Sequence, residues 1–130
     1  MVLHGAASAA VLLSLVAAAG CARAAEAVIV VQRAALAGYR HYEGAGVWRD
    51  LRIGDRLQLV REPENPHDAS AVRVEWRGRK LGYLPRGDNA VAARQLDRGV
   101  ALAGRVAVLH ENRNRSRRIE LEIVAPLAPP

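Results

Sequence analysis

The chain holds a single cysteine, Cys21, in 130 residues. An intramolecular disulfide and a four-thiolate zinc site are therefore excluded. There is no phenylalanine, and only two tryptophans and three tyrosines. A long groove that tracks a single strand by alternating rings and cations is not supported by so few aromatics. Lysine is almost missing as well: Lys80 is the only one among 19 basic residues. Enzyme signatures are absent from the pattern. No glycine-rich nucleotide loop, helicase motif or readable Ser-His-Asp arrangement occurs. His67 and Asp68 are neighbours whose side chains point apart, so they cannot serve as a base and its orienter. His41, His67 and Asp68 are the nearest approach to a metal set, and isolated loop histidines do not make one. No catalytic residue, metal ligand or cofactor is expected.

No apolar run is long enough to cross a membrane. The longest, Ala6 to Ala19, is broken only by serines and has the length of a signal-peptide core. Ala22-Arg23-Ala24 before Ala25 reads as its cleavage site, so residues 1–24 are expected to be a signal peptide and the protein to be exported to the periplasm. Two rivals are acylation at Cys21, within Ala18-Ala19-Gly20-Cys21, and a true start further along that leaves the protein in the cytoplasm. Residues 25–130 suffice for one domain and one core. The full chain carries a formal charge of +6. An arginine-rich, basic balance reflects a GC-rich genome or an anion-binding surface, because guanidinium forks match phosphate bidentately.

Ala27 to Arg33 is apolar on both faces and reads as a central strand. Arg56 to Arg61 reads as the second. Ala71 to Trp76 alternates, with Val72, Val74 and Trp76 on one face and Arg73 and Glu75 on the other, and Lys80 to Leu84 returns it as a hairpin. Asp88 to Arg98 is a helix with Asp88 as its N-cap, Val91, Ala92 and Leu96 on one face, and Gly99 at its end. Ala101 to His110 and Ile119 to Val124 close the set, with Ile119, Leu121 and Ile123 inward and Glu120 and Glu122 outward. Val47 to Leu51 is a turn of helix or an extended link. Six short strands with one or two short helices predict a mainly β fold, a small barrel or strongly bent sheet.

Between the second and third strands lies Glu62-Pro63-Glu64-Asn65-Pro66-His67-Asp68, a stiff polar turn. Asn65 can make that turn's local backbone bonds, which leaves Asp68 to point outward as an acceptor. Arg77, Arg79, Lys80 and Arg86 edge the hairpin behind it. Arg113, Arg115, Arg117 and Arg118 crowd a second turn. Charge runs are usually solvated faces; two of them on a small barrel could instead bracket a polyanion, in which case binding depends on salt. The whole looks like a device for presenting a polar ligand rather than a catalytic pocket.

Three stretches together resemble the HIRAN domain: Leu36-Ala37-Gly38-Tyr39-Arg40-His41-Tyr42; Leu59 to Val72 with its Asn65-Pro66-x-Asp68-x-x-Ala71-Val72 run; and Gly78-Arg79-Lys80-Leu81-Gly82-Tyr83-Leu84-Pro85 leading to Asn89-Ala90. With their spacing they span about residues 28–124. The resemblance implies a compact six-stranded, OB-like β-barrel that binds nucleic acid and recognises the 3′-hydroxyl end of single-stranded DNA. It implies that Asp68 receives the hydroxyl, Arg40 holds a phosphate, and the ring after it stacks on a base. That ring is His41 here, where a tyrosine stands in eukaryotic members; Tyr39 or Tyr42 could supply it instead. Tyr83 matches a ligand-lining position. The expected interface is Arg40, His41, Tyr42, Asn65, His67, Asp68, Tyr83, Arg79, Lys80 and Arg86. Two rivals remain. One is an exported module using the same surface for another anionic polymer or an envelope protein. The other is a metal-dependent hydrolase, which lacks a readable nucleophile or ligand set.

Overall fold

A computed structural model of the chain describes residues 27–113 and 117–127. The leader expected over residues 1–24, Cys21, and Arg115 of the second basic turn lie outside those residues. The strands are β1 (Val28–Ala35), β2 (Arg56–Arg61), β3 (Val72–Trp76), β4 (Arg79–Tyr83), β5 (Ala103–Glu111) and β6 (Arg117–Pro126); a 3-10 turn (Tyr39–His41) and α1 (Gly44–Val47) follow β1, and α2 (Ala90–Asp97) follows β4. Among the described residues the strands form one antiparallel sheet in the order β1-β6-β5-β2-β3-β4.

Alternation decides which side chains enter the core. On β3, Val72 and Val74 are fully buried and Trp76 nearly so, while Arg73 and Glu75 lie half-buried on the other face. On β6, Ile119, Leu121 and Ile123 point inward, where they join Leu57, Leu81, Leu84 and Val106 in one apolar cluster. The β3–β4 hairpin turns on Arg77 and Gly78, with φ of 48° and 79°. Positive φ at both central residues is the signature of the type I′ turn, whose twist suits paired strands.

The sheet curls in the expected OB-like manner, but a continuous ladder does not close it. Its two outer strands meet through one bridge beyond the end of β1, where the N–H of Ala37 reaches the carbonyl of Tyr83 at 2.8 Å and the N–H of Tyr83 returns to Ala37 at 3.0 Å. Gly82 permits this approach, because a Cβ there would run into the Ala37 carbonyl.

Several sequence expectations need correction. β1 is an outer strand, not a central one: Ile29, Val30 and Val31 are 48%, 45% and 52% exposed. Its run of β-branched residues reflects strand propensity as much as burial. Asn89, not Asp88, occupies the N-cap of α2, and its side chain makes no capping bond. The inward face of that helix is Ala92 and Ala93 with Leu96 against the core, whereas Val91 faces out. The turn of helix near residue 47 is α1 and precedes Trp48. Glu122, expected outward, is buried, with Arg33 at 2.7 Å and Arg105 at 2.6 Å. The Arg105 hydrogen bond, joined by the charges of both arginines, holds its carboxyl below the ordinary value.

Candidate functional site

The turn after β2 builds its own frame. Asn65 Oδ1 accepts the backbone N–H groups of His67 at 2.9 Å and Asp68 at 3.2 Å. Asp68 in turn accepts the N–H of Ser70 at 2.9 Å through Oδ1. Its Oδ2 accepts from Asn89 Nδ2 at 2.7 Å. Asn65 therefore does the expected local work, but Asp68 is not left unengaged. Each carboxylate oxygen has two lone pairs, so both can take one further donor. The carboxylate is held in place from its own turn and from the start of α2.

Tyr83 forms the wall opposite. Its hydroxyl donates to Glu62 at 3.0 Å and accepts from Lys80 Nζ at 2.8 Å. Glu62 also takes Arg73 Nη1 at 2.7 Å and Asn65 Nδ2 at 3.1 Å. Burial pushes the Glu62 carboxyl up, but the hydrogen bonds from Asn65, Tyr83 and Arg73 outweigh it and leave it below its ordinary value. Lys80 sits between two rings, with Nζ 4.0 Å from the Tyr42 centroid and 4.5 Å from that of Tyr83. The two rings meet edge-on at 5.8 Å. Lys80 is thus a clamp on the aromatic pair, a role its place in a basic run did not suggest.

The 3-10 turn brings in the rest. Gly38, with φ of 76°, starts it. Tyr39 points inward, donates its hydroxyl to the Gly44 carbonyl and packs edge-on against Trp48. Its burial raises its pKa. Tyr39 therefore cannot stack on a base, whereas Tyr42, 37% exposed, can. Arg40 and His41 are exposed, and the His41 ring lies 6.5 Å from Tyr42.

A cleft of about 270 Å³ results, lined by Ala37, Tyr42, Asn65, His67, Asp68, Ala71, Tyr83, Leu84 and Arg86. Six of the ten residues expected from the sequence converge there: Tyr42, Asn65, His67, Asp68, Tyr83 and Arg86. Arg40 and His41 stand on the adjoining turn, outside the lining. Lys80 is outside the lining and acts through its contacts with the Tyr42 and Tyr83 rings. Arg79 is exposed at the far end of β4, paired across to Trp76, and does not belong to the cleft. Glu62 and Asn89 were not among the expected interface residues. Glu62 had a signal in its spacing of three from Asn65 within one turn. Asn89 stood at the end of the third matched stretch with no role attached, because its contact with Asp68 spans 21 residues. Among the described residues no group of three His, Cys, Asp or Glu side chains is placed to hold a metal, and no helix is long and apolar enough to span a membrane.

A curled, OB-like sheet with a small polar and aromatic cleft at the seam where its outer strands meet defines a binding module. The HIRAN domain family model matches residues 29–128, and the chain belongs to that family, known as a nucleic-acid-binding module. Two solved structures share the fold. A protein from Lactobacillus plantarum is 28% identical, with a TM-score of 0.68 over 78% of this chain and 97% of that one. The HIRAN domain of human HLTF is 23% identical, with a TM-score of 0.59 over 72% of this chain and 73% of that one. No curated protein matches the chain significantly in sequence.

Proposed function

We propose that the cleft receives the 3′-hydroxyl end of a single strand of DNA, without catalysis. The observation that carries this reading is the convergence of an oriented carboxylate, Asp68, with the exposed Tyr42 ring and the Arg86 cation around one small cavity. An ionised carboxylate only accepts hydrogen bonds. It suits a hydroxyl and repels a phosphate, so it separates a free 3′ end from a phosphorylated one. Tyr42 offers a stacking surface. Arg86 at the cleft, and Arg40 on the adjoining turn, supply charge for the neighbouring phosphates.

The test is a titration with oligonucleotides that differ only at the 3′ terminus. The 3′-hydroxyl strand binds at least about tenfold more tightly, the worth of one charge-assisted hydrogen bond. Arg40→Ala weakens both strands alike. Equal affinity of the wild-type protein for both ends would sink the reading.

The leader-like residues 6–19 and the Ala-x-Ala triplet after them favour a second reading, in which an exported form presents the same cleft to another anionic polymer or an envelope protein. Mass spectrometry of the protein from cell fractions decides between them. Cleavage after Ala24 or an acylated Cys21 supports export, and an intact Met1 in the cytoplasm supports DNA.

A further inference from the structure

A second and larger cleft, of about 550 Å³, shares no lining residue with the first. Its walls include Trp48, Arg49, Arg52, Leu109, Glu111 and Arg117. The volume is in the range of small-ligand sites, and its charge is one-sided, with three guanidinium groups against one carboxylate. Arg117 is partly neutralised by Glu111 at 3.0 Å, and its guanidinium lies 5.3 Å from the Trp48 ring centroid. Arg52 is held rigid because its Nη1 donates to the carbonyls of Arg49 at 2.6 Å and Leu51 at 2.9 Å. That leaves its Nε and Nη2 without a protein acceptor among the described residues. Nearby Asp55 does not cancel this charge by pairing with a guanidinium, since its Oδ2 accepts the Arg52 backbone N–H and the Trp76 indole. Arg49 is exposed and makes no ion pair among the described residues. A fixed fork, a free cation and an aromatic wall facing one open cavity match a phosphate group attached to a planar ring.

We propose that this cleft is an anion site for a nucleoside phosphate, and that it holds an internal nucleotide of the strand whose 3′ end occupies the Asp68 cleft. The second clause rests on the function proposed above. A free mononucleotide offers the same chemistry, and the experiment separates the two sources.

Trp48 reports on the cleft directly, because the other tryptophan, Trp76, is 5% exposed and covered by Arg77. Inorganic phosphate, thymidine monophosphate and two oligothymidylates, one ending in a 3′-hydroxyl and one in a 3′-phosphate, are each titrated against the wild-type protein, Arg49→Ala and Trp48→Phe, following fluorescence and strand anisotropy. Arg49 makes no side-chain bond that the fold needs, so Arg49→Ala keeps its circular dichroism spectrum. The expected result is a saturable quench by the mononucleotide that Trp48→Phe abolishes. With it, Arg49→Ala weakens the 3′-hydroxyl strand roughly threefold or more and lowers its salt slope by about 0.7, the loss of one phosphate contact. A quench by mononucleotide with unchanged strand binding keeps the anion site and overturns its place on the strand. No quench by phosphate or mononucleotide, with unchanged strand affinity, overturns the proposal entirely. A lack of 3′-hydroxyl preference in the wild-type protein defeats the end-recognition reading without touching the Arg49 effect, which is read within one strand.

Discussion

The amide of Asn89, 2% exposed, donates to Oδ2 of Asp68 at 2.7 Å and ties the polar turn to the start of α2. The bond gives Asp68 two jobs, one in the fold and one facing the cleft. Asp68→Ala leaves a buried amide without an acceptor, which costs roughly 1–3 kcal/mol. Asp68→Asn is milder, under about 1 kcal/mol, because the Asn89 amide can turn over and accept from the new one. Urea unfolding of the two variants measures the difference. Both variants lose the preference for a 3′-hydroxyl over a 3′-phosphate end. If they unfold at the same midpoint, the Asn89 bond contributes nothing to stability.

Lys80 and Arg86 are both cations near the cleft, and they respond differently to removal. Arg86 is exposed and lines the cavity, so Arg86→Ala lowers the salt slope of strand binding by about 0.7. Lys80 is spent on two tyrosine rings and one hydroxyl. Lys80→Gln therefore lowers affinity through the misalignment of Tyr42 and Tyr83 and leaves the slope nearly unchanged. Affinities at three salt concentrations distinguish the two roles.

The acid stability of the protein reflects Glu62. Its folded carboxyl lies below the ordinary value of 4.5, so in the unfolded chain it binds protons more readily. Its contribution is complete above that ordinary value and is lost as pH falls through the lower folded value. Glu62→Gln makes the unfolding midpoint fall less steeply in that acid window than it does for the wild-type protein. Denaturant midpoints from roughly pH 7 to pH 3 give the slope. Glu122, held low in the same direction, keeps a residual acid sensitivity in the variant.

Gly82 and Gly87 form a matched pair of tests. A Cβ at Gly82 strikes the Ala37 carbonyl, whereas one at Gly87 meets nothing within 4 Å. Gly82→Ala breaks the bridge between the outer strands and destabilises the fold by about 1–3 kcal/mol. Strand affinity falls with it, because Ala37 and Tyr83 both line the cleft. Gly87→Ala stays within about 0.5 kcal/mol of the wild-type protein. Thermal unfolding of both variants checks the contrast.

The alternation in β3 and β6 could be read from sequence because one residue of every two must face the core in a half-buried strand. The hairpin could be read because Arg77-Gly78 sits between two such patterns. The polar turn was legible for the same local reason: Asn65 satisfies backbone groups only two and three residues away. Sequence alone thus determined the six strands, the principal helix and the stretch of chain that carries the cleft.

Tertiary structure decided what depends on contacts between distant segments. β1 has the composition of a central strand, yet among the described residues only β6 pairs with it in a ladder, and strand order is not written in any local pattern. Glu122 alternates outward on paper but is drawn into an ion cluster by Arg33 and Arg105, 89 and 17 residues away. Lys80 looked like a free cation until the fold brought the Tyr42 ring from the end of the 3-10 turn against it, opposite Tyr83 of its own strand. Asp68 looked unengaged until α2 delivered Asn89 to it. In each case a side chain's neighbours across the fold fixed its role, since hydrogen bonds and ion pairs act over a few ångströms of space whatever the separation along the chain.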